Sequence, residues 1–212
     1  MNIKKLLLRN ETALIIAIVV LSLIIGIKSP EFFTLANLFD IFRSSFVQLI
    51  FALGVLIVII SGGIDISFPA VGIFAGYTAV VLLQRFEWNP ENLLLPIALA
   101  IIIGTILGAI NSIAIATFGI PTLIATLGTS GIFRGIMLTF IGSSFISDIP
   151  VGLDNFATAD LLAIQPEEGT LARLHILIIP IVIITLLVAF LLNRTMFGRS
   201  VYALGGGVEA TR

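Results

Sequence analysis

The stretch "ISGGIDISFPAVG", residues 60–72, interrupts a chain of oily residues with glycines, a proline and one aspartate. The apolar runs at 46–60 and 70–84 flank it. A carboxylate set between two such runs carries a solvation cost, so the position of Asp65 bears on what the chain does. Gly62, Gly63 and Pro69 mark a point where regular helix is hard to continue, and Phe68 is a large aromatic beside it.

The surrounding composition sets the class. Hydrophobic residues make up 58% of the chain, charged residues 11%, and mean hydropathy is +1.20. Soluble domains run at about 45–50% apolar and about 25% charged, so these values belong to an integral membrane protein. Apolar stretches recur near the ~20 residues needed to cross a bilayer, and backbone groups cannot find water there, so helices are the expected solution. The ten-residue alternation of barrel strands is absent. With no cysteine, disulfides, thiolate metal sites and a cysteine nucleophile are excluded.

Working outward, Lys4, Lys5 and Arg9 precede an apolar run from Ala13 to Ile27. It lacks a small-residue cleavage site and reads as an uncleaved first span with a cytoplasmic N-terminus. Residues 31–45 mix Phe and Leu with Glu31, Asp40 and Arg43, which predicts a helix lying in the interface. Further apolar runs at 93–118, 122–141 and 174–192 bring the expected number of crossings to six. That parity leaves 85–92 and 142–173 outside. The ends assigned to the inside carry Lys4, Lys5, Arg9, Arg194, Arg199 and Arg212, and the two outer loops only Arg85 and Arg173. Trp88 suits an outer aromatic belt. The expected fold is thus all-α, a polytopic membrane helical bundle in one transmembrane domain over 1–212, broken or re-entrant around 61–69. Residues 46–60 and 70–84 would each cover only about 22 Å of a ~30 Å core, which is why a re-entrant element is expected there.

Arg134 is the second anomaly, lying in an apolar span thirteen residues after Pro121. Charges at bilayer depth normally face a protein interior, a partner or water, so burial of Arg134 is expected and pairing with Asp65 is one way to satisfy both; hydration near an interface is the alternative. Gly72 with Gly76, and Gly104 with Gly108 and Ser112, have the spacing that allows close helix approach. Gly119 and Pro121 in "FGIPT" read as a turn. Phe68 and Phe74 read as packing residues, with a role beside a solute route as the alternative.

Catalytic chemistry is sparse. His175 has neither a cysteine nor a Glu-x-x-His pattern near it, so no metal site is expected. The three lysines follow no glycine, so no phosphate loop is present and any ATP would have to be bound by another chain. An intramembrane hydrolase using Ser61 or Ser67 with Asp65 would lack a nearby base, and the chain is not expected to be an enzyme.

Three blocks, in order, carry a resemblance: "SGGIDIS" at 61–67, "GIPTLIATLG" at 119–128 followed by Arg134 and Gly135, and "FGRSVYALGGGVEATR" at 197–212. Together they resemble the permease subunits of ribose-type sugar importers of the ABC superfamily, with branched-chain amino-acid permeases as the nearest related alternative. The resemblance implies a plasma-membrane subunit translocating a simple sugar and surrounded by lipid rather than nucleic acid. It would work with a second permease copy or paralogue, cytoplasmic ATPase subunits that hold the ATP, and an extracytoplasmic sugar-binding protein facing 142–173. It also implies that 197–212 is a cytoplasmic coupling segment, with Tyr202, Gly205, Gly206, Glu209, Ala210, Thr211 and Arg212 towards the ATPase. Gly62, Gly63, Asp65, Ser67, Phe68, Pro69 and Arg134 would form the pathway or support its break, and support is the expected role of Asp65, since one carboxylate cannot hold a sugar alone. Two wordings depart from the family pattern: Ser67-Phe68-Pro69 stands where S-V-G is common, and Glu209 is displaced by one position. Permeases of this type continue with further spans, so a shortened chain is expected.

Overall fold

A computed structural model describes residues 10–166 and 170–206. It contains eight α-helices among those residues: α1 (Asn10–Lys28), α2 (Leu35–Ile60), α3 (Phe68–Arg85), α4 (Leu94–Phe118), α5 (Thr122–Ile136), α6 (Val151–Thr158), α7 (Ile178–Arg194) and α8 (Met196–Gly205). A 3-10 turn at Pro30–Phe33 precedes α2, and a π-helical turn at Met137–Ile141 extends α5. The polytopic, all-α architecture expected from composition is present. Four helical stretches are long and apolar enough to cross a bilayer: Leu35–Ile60, Phe68–Arg85, Leu94–Phe118 and Thr122–Ile141. A fifth span is reached if α7 and α8, bent by 74° at Thr195, are taken together. Thr12–Lys28 adds a shorter apolar helix, at the low end of the ~17–25 residues that cross a bilayer.

Two compact units divide the chain, Met1–Ser45 with Asp160–His175 and Phe46–Ala159 with Ile176–Arg212. In the first, α1 ends at Lys28 and the following 3-10 turn brings Phe33 against Gly26. A Cβ there would lie 2.0 Å from the Phe33 ring. Thr34 then caps α2, accepting from the Asn37 N–H at 3.3 Å. The same unit holds an antiparallel hairpin, β1 (Asp160–Ile164) with β2 (Ala172–His175), in which Asp160 pairs with His175 in register and with Arg173 across a 3.3 Å ion pair. Strand was not legible in the sequence here, because four or five residues of mixed polarity carry too little periodicity.

One expectation is corrected. Residues 31–45 are not a separate helix: Pro30–Phe33 form a 3-10 turn, and from Leu35 the chain is already in the 26-residue helix α2. No glycine or proline interrupts Leu35–Phe51, so nothing stops helix propagation, and Asp40 and Arg43 are accommodated near one end. The run at 46–60 is therefore not short: 26 residues rise about 39 Å, enough to cross unaided.

The second unit is organised around α3, α4 and α5. Its buried residues follow helical spacing: Ala75, Ala79 and Leu83 on α3, and Ala125, Thr126, Thr129 and Phe133 on α5. Small residues let the helices close. A Cβ on Gly104 would sit 3.7 Å from that of Ala75, and Gly72 leaves room for the Phe51 ring, which a Cβ would meet at 2.6 Å. Gly76 and Gly108 face open space instead. Gly119 ends α4 in the left-handed conformation (φ 64°) and Pro121 opens α5, so the "FGIPT" segment is a turn. Many Leu, Ile and Val side chains stay exposed, as lipid-facing surface allows.

Contacts in this unit sort to two ends. At one, Gln84 donates to the Asp148 carbonyl, the Val151 N–H to Asn89 Oδ1 (2.8 Å), and the Gly152 N–H to Pro90 O (2.9 Å). Exposed Trp88 stacks at a tilt on Phe86, 5.4 Å between centroids. At the other end Gly63 meets Thr122, and α8 reaches the end of α2. Segments assigned by parity to one side of the membrane thus meet one another.

Candidate functional site

The break at 61–67 begins as a helix C-cap. Gly62 takes φ +86°, its N–H bonds Ile59 O at 3.0 Å, and the Gly63 N–H reaches back to Val58 O at 3.0 Å. This pair of bonds is the Schellman pattern, with glycine at the left-handed position. Ser61 adds a hydroxyl bond to Val58 O at 2.7 Å.

From Gly63 to Ser67 the chain has no regular structure, so its backbone groups need partners outside a helix ladder. The Thr126 hydroxyl supplies two: it accepts from the Ile66 N–H at 3.2 Å and stands 3.3 Å from Ile64 O, to which it donates. Asp65 then folds over the start of α3. Its Oδ1 accepts from the Ser67 N–H at 2.6 Å and from the Ser67 hydroxyl at 2.7 Å. A carboxylate there also faces the positive end of the helix dipole. Pro69 follows in the first turn, where its missing N–H costs nothing. Ser67 is fully buried, and Asn111 Nδ2 donates to its Oγ at 2.7 Å. Asn111 stands seven residues before the end of α4, which puts this polar cluster about 10 Å inward along that helix.

Beside the cluster lies a cavity of about 290 Å³ lined by Asp65 and Asn111 with Phe51, Phe68, Gly54 and Gly108. Phe51 and Phe68 pack with centroids 5.4 Å apart. Phe74 instead packs on buried Phe133, 6.4 Å away, so of the two phenylalanines only Phe68 borders this space. Among the described residues no three His, Asp or Glu side chains converge as metal ligands.

Gly62, Gly63, Asp65, Ser67, Phe68 and Pro69 thus come together. Arg134 does not join them. It is exposed on α5, contrary to the expected burial, and it forms no ion pair with Asp65, so the pairing offered as one way to satisfy both charges is not made. The reason is angular: the inward face of α5 is taken by Ala125, Thr126, Thr129 and Phe133, and Arg134 is rotated about 100° away from Phe133. Sequence reasoning missed Thr126 and Asn111, which lie 60 and 44 residues from their partners in the break.

Of the coupling residues, Tyr202 is half exposed on α8, and Gly206 closes that helix through its N–H to Tyr202 O at 3.0 Å. Gly205 touches the break directly: a Cβ there would lie 1.8 Å from Ile60 O and 3.2 Å from Gly62 N. Glu209, Ala210, Thr211 and Arg212 lie outside the described residues.

Apolar helices packed through small residues, with a backbone break satisfied by half-buried Asp65 and by buried Ser67, Thr126 and Asn111, define a polytopic helical membrane protein. The chain belongs to the branched-chain amino acid transport system / permease component family, whose pattern it matches over residues 37–212. Similar relatives include the "Autoinducer 2 import system permease protein LsrC" of Yersinia pseudotuberculosis serotype O:1b (strain IP 31758), 34% identical over 204 residues, 96% of this chain and 54% of that protein. The LsrC of Yersinia pestis (strain Pestoides F) is 33% identical over 204 residues, 96% of this chain and 54% of that protein. The chain spans about half the length of the curated relatives it matches. No solved structure matches it.

Proposed function

We propose that the chain is part of the transmembrane subunit of an ABC importer that passes a simple, sugar-like solute across the plasma membrane, with ATP bound and hydrolysed on separate cytoplasmic subunits. The observation that carries this reading is the polar backbone break between two apolar helices, satisfied by Asp65, Ser67, Thr126 and Asn111 and approached by Gly205 of α8. Non-helical backbone inside a membrane is tolerated where protein or a water-filled route surrounds it. Family membership supports the importer class. The similar permeases are named for autoinducer 2 import, which makes that molecule, with simple sugars, the first cargo to test.

In this reading α8 and the residues after it contact the ATPase, the loops holding Trp88 and Asp148 face the binding protein, a second permease copy or paralogue completes the route, and the N-terminus is cytoplasmic. The excess of Lys and Arg at both chain ends supports that orientation. Purification of the tagged chain from membranes of its own cell, in mild detergent, should bring down a nucleotide-hydrolysing partner. A chain recovered folded and without any ATPase, in repeated preparations, contradicts the importer reading. The second reading, a branched-chain amino acid as cargo, is favoured by the family's description alone.

A further inference from the structure

Helix α5 packs against α3 and α4. Its buried residues, Ala125, Thr126, Thr129 and Phe133, lie about 120° or more around the axis from Gly131. The opposite side, within about 60° of Gly131, carries Ile124, Leu127, Gly128, Arg134 and Gly135, all of them exposed. The helix belongs to the 20-residue stretch Thr122–Ile141, long and apolar enough to span a bilayer.

Two features of this outward face gain nothing from the bundle. Gly128, Gly131 and Gly135 crowd into eight residues of one helix, although glycine is a poor helix former. A Cβ on any of the three would meet nothing within 4 Å, whereas one on Gly72 of α3 or Gly104 of α4 would meet Phe51 or Ala75. In lipid the usual gain from glycine is the close approach of another helix, and no described helix makes that approach here. The second feature is Arg134, whose guanidinium makes no ion pair or hydrogen bond among the described residues. It stands twelve residues after Thr122 and seven before Ile141, about 18 Å and about 10 Å from the two ends of the stretch. Helical side chains lean towards the N-terminus, so Arg134 is directed away from the nearer end and towards mid-span. A cation there calls for an anion.

We infer that this face of α5 is the docking surface for a transmembrane helix of a second, non-identical membrane protein that carries an Asp or Glu at the depth of Arg134. The glycines let the two backbones approach, and the carboxylate accepts from the guanidinium. Charge complementarity selects the partner: an identical chain meeting the same face across a two-fold axis would set Arg134 against Arg134. A lipid phosphate would meet the charge only at the headgroups and would leave the three glycines uncovered. The inference needs α5 to cross the membrane and does not depend on what is transported.

The test is photocrosslinking in membranes of the cell that makes the chain, with a benzophenone amino acid in place of Leu127, which is 60% exposed on this face. It should capture one membrane protein, and the captured peptide should be an apolar span holding an Asp or Glu. Arg134→Glu should cut that adduct about tenfold or more, and Arg134→Lys should largely keep it. Replacing the partner's acid by Arg should restore the adduct in Arg134→Glu, which separates lost docking from lost folding, since a misfolded chain would not recover. Gly131→Leu keeps the charge, fills the face with a better helix former and should weaken the adduct by a similar factor. No adduct, adducts to lipid alone, to a second copy of this chain or to a span without an acid, or a yield unchanged by Arg134→Glu and Gly131→Leu, each overturns the docking surface, as does a charge swap that restores nothing.

Discussion

Asp65 is explained by local hydrogen bonding before any contact with a solute. Its Oδ1 holds the first turn of α3 through Ser67, and Thr126 and Asn111 complete the cluster. Replacing Thr126 by Val keeps the shape and removes the hydroxyl that serves Ile66 N–H and Ile64 O. The buried, orphaned groups should cost about 1–3 kcal/mol, read as a lowered denaturation midpoint in detergent. Gly62→Ala forces an L side chain to φ +86° and should cost about 1–2 kcal/mol, with the Schellman turn loosened; an unchanged midpoint would remove the strain argument. At this scale the sequence announced the break through Gly62, Gly63, Asp65 and Pro69, because each departs locally from an apolar helix. Thr126 and Asn111 were silent, since one hydroxyl or amide in an apolar run carries no local pattern and their partners are dozens of residues away. Arg134 was misjudged for the complementary reason: which way a helix faces depends on neighbours that sequence spacing does not name.

At the scale of the element, α8 meets the break through close backbone approach at Gly205. Thr195 caps it, accepting from the Gly198 N–H at 3.2 Å, while Gly198 and Gly205 leave no room for a Cβ against Leu192 O and Ile60 O. Gly205→Leu should therefore push α8 off the end of α2, seen as faster proteolysis between 195 and 206 with the rest of the chain intact. Cleavage at the unaltered rate would mean that the contact does not hold the helix. Thr195→Ala should loosen the same helix more mildly, by about 1 kcal/mol. The apolar runs were legible because their period and length are local properties. The extent of α2 was not: Asp40 and Arg43 looked like the polar face of an interfacial helix, and no stop signal separated them from the apolar residues that follow.

For the whole molecule, the account predicts that water reaches the cavity floor while neighbouring helix surface faces lipid. The charge distribution and the meeting of parity-matched segments at each end of the second unit both fit a bundle crossing the membrane repeatedly. The chain has no cysteine, so single cysteines can be placed without background. The most direct measurement is labelling of Gly54→Cys, Gly108→Cys and Ile106→Cys by a charged, membrane-impermeant thiol reagent in inside-out and right-side-out vesicles. Gly54 and Gly108 line the cavity, whereas Ile106, on the same helix as Gly108, is 56% exposed away from it. The account predicts that positions 54 and 108 react from at least one side and position 106 from neither; equal protection of all three would contradict a water-reached route beside the break.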